Sequence, residues 1–255
     1  MRGLLGRCAA LLVLTVAAPA PAYADPVLPP TGTDFDYQLG GNAALPDHVG
    51  IVVRDRGSAP ADQAYSVCYV NGFQTQPNEA RFWKRHPRLV LRRDGKPVVD
   101  EVWGEWLLDI RTADKRRRLA RIIGGWVTGC ANDGYQAVEY DNLDSFLRSH
   151  RLITAAHTKK FAQVLVSLAH DAGLAAAQKN RAAWDGRTVG FDFAIAEECG
   201  RWRECGGYIK HYGEQVLVVE YRRRDFRFAC SKWGAQLPIV LRDLDLTPNG
   251  VHDWC

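Results

Sequence analysis

Eight short apolar runs, spaced along one chain and each closing on polar side chains, constrain this sequence more than any other feature. They are Gly50–Arg56, Tyr65–Asn71, Glu105–Ile110, Gly134–Asn142, Leu174–Asn180, Phe191–Glu198, Val216–Tyr221 and Leu237–Asp243. Runs of this length, bounded by turn residues, read as buried strands. Helical stripes lie between them. Leu119, Ile122, Ile123, Trp126 and Val127 recur at helical spacing, as do Phe161, Val164, Leu165, Leu168 and Ala169, the second set opened by Thr154 and closed by Gly173. Arg201–Tyr212 and Phe226–Trp233 are expected to be short helices.

Strands alternating with helices predict a parallel sheet, and eight is the number that closes a (β/α)8 barrel as a single α/β domain. The polar strand ends are Asp55, Asn71, Asp109, Asp141, Lys179, Glu197, Glu220 and Asp243. An open sheet gathers its site at one crevice, so polar ends on every strand favour the barrel. Ahead of the barrel, residues 25–33 read as a Pro-rich lead-in, and Asp36–Gly41 as a short extended piece closed by a glycine turn. Residues 72–102 form a polar insert broken by Pro77, Pro87 and Pro97, with a small hairpin around Asp94-Gly95.

The fourth run is the centre of the functional reading. Glu139 and Asp141 lie two apart, so on an extended chain they share a face with Ala137 below them. The alternative is a solvated loop whose acids cap the next helix.

Residues 1–24 carry the marks of an export leader: Arg2 and Arg7, an apolar run over Ala9–Ala18, and a small-x-small site at Ala22-Tyr23-Ala24. The apolar run is too short to span a bilayer. Cleavage after Ala24 would leave a domain over residues 25–255, secreted and extracellular. Loss of Arg2 and Arg7 reduces the 33 basic residues to 31 against 29 acidic ones. So weak a balance gives no electrostatic case for nucleic acid or membrane, and the basic runs Lys115–Arg118 and Arg222–Arg224 read as solvated faces. A monomer is expected.

Of seven cysteines, Cys8 goes with the leader, and the remaining six suit disulfides in an exported chain. Six thiols allow 15 pairings, which the sequence does not decide among; Cys199 and Cys205 flank one loop and are the favoured pair, with Cys230–Cys255 and Cys68–Cys130 as further candidates. There is no Cys-x-x-Cys pair and no His-Glu-x-x-His, so no metal is expected. The absence of Gly-x-Gly-x-x-Gly and of a phosphate loop leaves no case for a nucleotide cofactor.

Carboxylates around a barrel mouth are what glycoside hydrolysis needs, one protonating the leaving oxygen and the other serving as nucleophile or activating water. Tyr69, Asn71, Gln178, Asn180 and Tyr221 supply polar groups suited to sugars, and Trp103, Trp106, Trp184 and Trp202 could stack on sugar faces. Lys179 is either a cationic partner that lowers a neighbouring carboxylate or a Schiff-base nucleophile.

Asp36-Tyr-Gln-Leu-Gly-Gly41, Cys68-Tyr-Val-Asn71, Trp106-Leu-Leu-Asp-Ile110, Val138-Glu-Tyr-Asp-Asn-Leu-Asp144, the Gln178-Lys-Asn180 end of the fifth run and Ala196-Glu-Glu-Cys199 together resemble glycoside hydrolase family 114. The resemblance runs in order across nearly the whole mature chain. It implies a (β/α)8 barrel and endo-acting cleavage of α-1,4-linked galactosamine polymer, with no obligatory metal. Carried over by motif, Asp141 is the strand-four carboxylate and Glu197 the strand-six one; Asp141 is assigned as nucleophile and Glu197 as acid/base, an assignment the motif leaves open to exchange. Strand parity prefers Glu197 to Glu198, because Phe193, Ile195 and Glu197 share a face. Asp55, Tyr69, Asn71, Asp109, Glu139, Asn142, Lys179, Asn180, Glu198, Tyr221 and Asp243 are the expected substrate contacts. The chain departs from part of the family near Asp36, where a Trp is often expected, and at the bases flanking Asp55 in Arg54-Asp55-Arg56. An acidic mouth would attract a cationic amino-sugar polymer. Two competing readings remain: a barrel that binds polysaccharide without cutting it, and an aldolase or lyase working through Lys179.

Overall fold

The computed structural model describes residues 25–255, so the leader lies outside the described residues. Alternation in Asp-Phe-Asp-Tyr-Gln makes Asp34–Gln38 a strand, β1, which puts Phe35 and Tyr37 on one face, among the residues that fill the barrel. Strands β2 (Val49–Asp55) and β3 (Tyr65–Asn71) follow. The chain then leaves the sheet for an insert: helix α1 (Ala80–Lys84) and four two-residue strands, β4 (Arg92–Arg93), β5 (Lys96–Pro97), β6 (Val99–Asp100) and β7 (Glu105–Trp106). It returns through α2 (Ala113–Asp133) to β8 (Ala137–Asp141), then α3 (Ala155–Asp171), β9 (Ala175–Lys179) and β10 (Phe193–Glu197). The remaining elements are α4 (Cys199–Trp202), α5 (Cys205–Tyr212), β11 (Val216–Glu220), α6 (Arg223–Trp233), β12 (Ile239–Arg242) and β13 (His252–Trp254).

The main sheet runs β1-β2-β3-β8-β9-β10-β11-β12-β13. Its first eight strands are parallel, and β13 adds antiparallel to β12. Strand β12 comes alongside β1. Side chains draw that seam together: Arg242 of β12 pairs with Asp36 of β1 at 2.8 Å, and Trp254 Nε1 of β13 donates to the Phe35 carbonyl at 2.8 Å. The result is a nearly closed eight-strand barrel, as the alternation of strands and helices predicts.

The eight strands are not the eight expected ones. Asp34–Gln38, expected ahead of the barrel, is its first strand. Glu105–Ile110, expected as a barrel strand, lies in the insert, where Glu105–Trp106 pairs with Val99–Asp100. The reason is a local disguise. Asp36 and Gln38 look solvent-facing, but both are fully buried and answered by polar partners, Arg242 and His252 on Asp36 and Arg54 on Gln38. The Asp94-Gly95 hairpin forms as predicted between β4 and β5, with both turn residues at positive φ. Arg201–Tyr212 is not one helix but two, α4 and α5, broken at Arg203 with φ +60°.

Helices cap as the sequence predicts. Thr154 Oγ1 accepts from the His157 N–H, and His157 Nδ1 accepts in return from the Thr154 N–H. Leu119, Ile123 and Val127 of α2 and Phe161, Leu165 and Ala169 of α3 are buried, whereas Val164 is exposed. Inside the barrel, Phe35, Ile51, Val53, Val67, Phe193, Ile195, Leu217, Val219 and Val240 form the lower filling. Each such side chain stabilises the fold by about 1.5–3 kcal/mol on burial. All three expected disulfides are present: Cys68–Cys130, Cys199–Cys205 and Cys230–Cys255. Among the described residues, no helix is long and apolar enough to cross a membrane.

Candidate active site

Above the apolar filling, the inward positions of the strands turn polar. On β8 the face that carries Ala137 continues through Glu139 to Asp141, and on β9 Ala175 and Ala177 lead to Lys179. On β10, Phe193 and Ile195 lead to Glu197. Parallel pairing sets these ends side by side, with Asn71 opposite Asp141 and Ile195 opposite Lys179. The three charged strand ends share one backbone device: the residue after each is left-handed, Asn142 at φ +65°, Asn180 at +56° and Glu198 at +55°. Asn tolerates that region because its short polar side chain bonds locally. The kink ends each strand and leaves its last side chain at the mouth.

Lys179 is the hub. It is buried, and its Nζ lies 2.8 Å from Glu139 Oε1, 3.4 Å from Glu197 Oε2 and 3.6 Å from Asp141 Oδ1. It also donates to the Tyr37 hydroxyl at 2.7 Å, which in turn donates to Glu139 Oε1 at 2.8 Å. Burial alone would lower the ammonium's pKa, but Asp141, Glu139 and Glu197 outweigh it and hold Lys179 well above the ordinary lysine value. Glu139 is fully buried, and burial pushes its carboxyl up to about 7 against the opposing pull of Lys179.

Asp141 and Glu197 are the more open pair, with side chains 19% and 27% exposed. Each has its own hydroxyl donor: Tyr69 gives to Asp141 Oδ2 at 2.8 Å, and Tyr221 to Glu197 Oε1 at 2.5 Å. The Asn142 N–H donates to Asp141 Oδ1, and Asn180 Nδ2 donates to Glu197 Oε2. Each carboxylate has an oxygen within 3.6 Å of the same ammonium nitrogen, so those two oxygens lie no more than twice that distance apart. That limit admits both the retaining separation of about 5–5.5 Å and the short end of the inverting range of about 6.5–9.5 Å. Both acids open on a cleft of about 660 Å³.

Of the expected contacts, the cleft is lined by Tyr69, Asn142, Lys179, Asn180, Glu198 and Tyr221. Others lie elsewhere. Asp55 does not line the cleft and accepts from the Gly57 N–H and the Gln76 amide, and Asp243 accepts from the Thr247 N–H. Asp109 is buried against Arg111 and Lys115, which more than offset burial and hold its carboxyl below the usual value. Asn71 and Glu139 are buried beneath the mouth and act through neighbours. Gln178 is turned away, bonded to the Trp184 carbonyl and the Tyr212 hydroxyl. Of the tryptophans, Trp103 and Trp202 line the cleft, 52% and 60% exposed; Trp106 and Trp184 do not. The bases around Asp55 are structural: Arg54 bonds Gln38 and the Ala59 carbonyl, and Arg56 stacks over Trp126 at 4.1 Å and pairs with Glu79.

Sequence reasoning missed Tyr37, Glu105, Asp144 and Arg148, all of which line the cleft. Tyr37 stood inside a quoted motif, and its alternation with Phe35 was the available signal. Cys199, Cys205 and Glu220 place donor atoms close enough for a metal, but both sulfurs are bonded to each other. That chemistry does not fit a metal in the oxidised chain.

The family model of glycoside-hydrolase family GH114 matches residues 16–255. Among solved structures, Ega3 of Aspergillus fumigatus, determined in complex with galactosamine, is 20% identical with a TM-score of 0.72, over 92% of this chain and 100% of that one. The glycoside hydrolase domain of PelA from Pseudomonas aeruginosa is 15% identical with a TM-score of 0.58, over 88% of this chain and 99% of that one. At these identities both share the fold. No curated protein matches the chain in sequence.

Proposed function

The chain belongs to glycoside-hydrolase family GH114 and is a glycoside hydrolase; on that premise we propose that it cleaves α-1,4-linked galactosamine polymer, acting within the polymer, through Asp141 and Glu197. The observation that carries this reading is the shared contact of both carboxylates with Lys179, at the head of a cleft with two exposed tryptophans.

The chemistry follows from the contacts. Asp141 takes donors on both oxygens, from Tyr69 and from the Asn142 N–H, with Lys179 alongside. These contacts fix the carboxylate at the head of the cleft, where it serves as nucleophile toward the anomeric carbon. Glu197, on the next strand but one, protonates the leaving glycosidic oxygen and then takes a proton from water. As Glu197 loses its proton, the Lys179 ammonium at 3.4 Å stabilises the charge that develops. Trp103 and Trp202 offer faces for sugar rings along the cleft.

A lysine held charged does not attack a carbonyl, which argues against the Schiff-base reading. Two open carboxylates at one head argue against a purely binding role. An amino-sugar polymer is cationic, and the cleft wall carries Glu198, Glu204 and Asp245 besides the central acids. Activity on such a polymer should therefore fall as salt rises. Export fits the three disulfides.

The test is a panel of amino-sugar polymers of defined acetylation, followed by reducing-end release and product mass. Release of short oligomers from de-N-acetylated galactosamine polymer is expected. Release only from another polymer would replace the substrate, and release from none would remove the hydrolytic reading.

A further inference from the structure

The insert between β3 and α2 delivers one carboxylate to the cleft that the catalytic scheme does not use. Glu105 of β7 is 8% exposed and lines the cleft beside Asp141. Its Oε2 accepts from Asn71 Nδ2 at 3.0 Å and from Asn142 Nδ2 at 3.4 Å, and turning the Gln74 amide adds a third donor at 3.1 Å. These donors are all neutral amides on one oxygen. Oε1 has no protein hydrogen-bond partner among the described residues, and Glu105 belongs to no ion pair.

Its neighbours are otherwise provided for. Asp141 and Glu197 share Lys179, Asp144 holds Arg148, and Glu198 holds Arg201. Arg148 is the cation nearest in kind, but its guanidinium is taken up by Asp100 and Asp144. Glu204 and Asp245 lack cations too, yet both are exposed to water, which serves a carboxylate well. Glu105 alone among the described cleft acids is both buried and outside any ion pair, with Arg148 acting on it only at longer range. Burial, with Asp141 and Asp100 adding to it, pushes its carboxyl up to about 7 against the pull of the Asn71 hydrogen bond and of Arg148. A carboxylate so placed gains most from a cation that arrives with a ligand. Trp103, two residues earlier in the same hairpin, presents an exposed ring to the cleft, where a sugar face can stack.

We propose that Glu105 is the specificity residue for the free amine: its Oε1 accepts the ammonium of a hexosamine unit seated in the cleft beside Asp141. The inference rests on the amino-sugar reading above and adds the atom that distinguishes an amine from an acetamide. An N-acetylated unit brings no cation and is bulkier at that atom, so Glu105 favours the de-N-acetylated unit.

The test measures binding by calorimetry to the full chain carrying Glu197→Gln, which keeps ligands uncut. Galactosamine and N-acetylgalactosamine oligomers of equal length are the two probes. Adding Glu105→Gln should weaken the galactosamine oligomer about tenfold, as loss of a charged hydrogen bond does, and leave the N-acetylated one unchanged. Equal weakening of both probes, or no change in either, would overturn the inference while leaving the amino-sugar reading in place. Failure of the Glu197→Gln parent to bind either oligomer would remove that reading and this inference with it. Should Glu105→Gln fail to fold, Glu105→Asp decides: it keeps the charge but shortens the reach. A loss confined to the amine probe supports the role, and a loss shared by both probes, or none, overturns it.

Discussion

Lys179 Nζ and Glu139 Oε1 meet at 2.8 Å directly beneath the cleft, the lysine 2% and the glutamate 0% exposed. A buried pair of this kind is a weak source of net stability, because desolvation offsets most of the attraction. Its use here is geometric. The pair places one fixed positive charge under two carboxylates that must work together.

Removing half of that pair should be costly. Lys179→Met strands Glu139 in the core and is expected to destabilise the fold by about 3–5 kcal/mol and to abolish activity. Lys179→Met with Glu139→Gln should regain most of the stability and none of the activity. Urea unfolding and reducing-end assays on both variants check this; recovery of activity in the double variant would assign Lys179 a structural role only.

The tyrosine donors should act on turnover rather than binding. Tyr221→Phe removes the 2.5 Å hydrogen bond to Glu197, and Tyr69→Phe the 2.8 Å one to Asp141. Each is expected to lower kcat roughly 10- to 100-fold, the worth of a hydrogen bond to a charged group, with KM little changed. A matching rise in KM would place these hydroxyls on substrate instead.

Stability should rise on mild acidification. Glu220, buried beside Asp225, accepts backbone N–H groups of Gly200 and Arg201, and burial outweighs them and pushes its carboxyl up to about 7. Its folded pKa thus exceeds its unfolded value of about 4.5. Between those values the folded chain binds more protons than the unfolded one, so this group's contribution falls as pH rises from about 4.5 to about 7. Glu105 and Glu139 act in the same direction. His157, lowered by burial and by Arg116, acts in the opposite one. Glu220→Gln isolates its own share: the variant should gain on the parent as pH rises from 5 to 8, measured by Tm. A constant difference across that range would contradict the assignment.

Much of this was legible in the sequence, for identifiable reasons. The strands ending at Asp141 and Glu197 are apolar below and charged at the last inward position, so parity fixed which way those acids face, and the family motifs joined them as a pair. Of the disulfides, Cys199–Cys205 was legible from its spacing around one loop, whereas the pairing of the other four cysteines depends on how distant elements pack. Two features were hidden. Asp34–Gln38 carries two acid or amide groups whose partners, Arg242, His252 and Arg54, lie far along the chain or on another strand, so buried charge passed for exposed loop. Glu105–Ile110 has a strand's composition, but its pairing with Val99–Asp100 depends on how a proline-broken insert folds back, which periodicity does not report. That error put Asp109 at the mouth in place of Glu105.

The disulfides should separate stability from activity. Cys68–Cys130 joins residues 62 apart and Cys199–Cys205 residues only 6 apart. Chain-entropy scaling gives about 4 kcal/mol for the first and about 2 kcal/mol for the second. The short loop, however, carries Trp202 and adjoins Glu198 at the cleft. Replacing Cys199 and Cys205 by alanine should therefore cost less stability but more activity than replacing Cys68 and Cys130. Denaturation midpoints and turnover on the same preparations decide it; the reverse order in activity would show that the short loop plays no part in the site.

The most direct test of the central claim compares the parent with Asp141→Asn and Glu197→Gln on one de-N-acetylated galactosamine oligomer, with kcat and Kd measured side by side. If the two acids form one catalytic pair over Lys179, both variants lose at least about 1,000-fold in kcat while binding the oligomer as the parent does. Near-parent turnover in either variant would mean that the pair at the head of this cleft is not what breaks the bond.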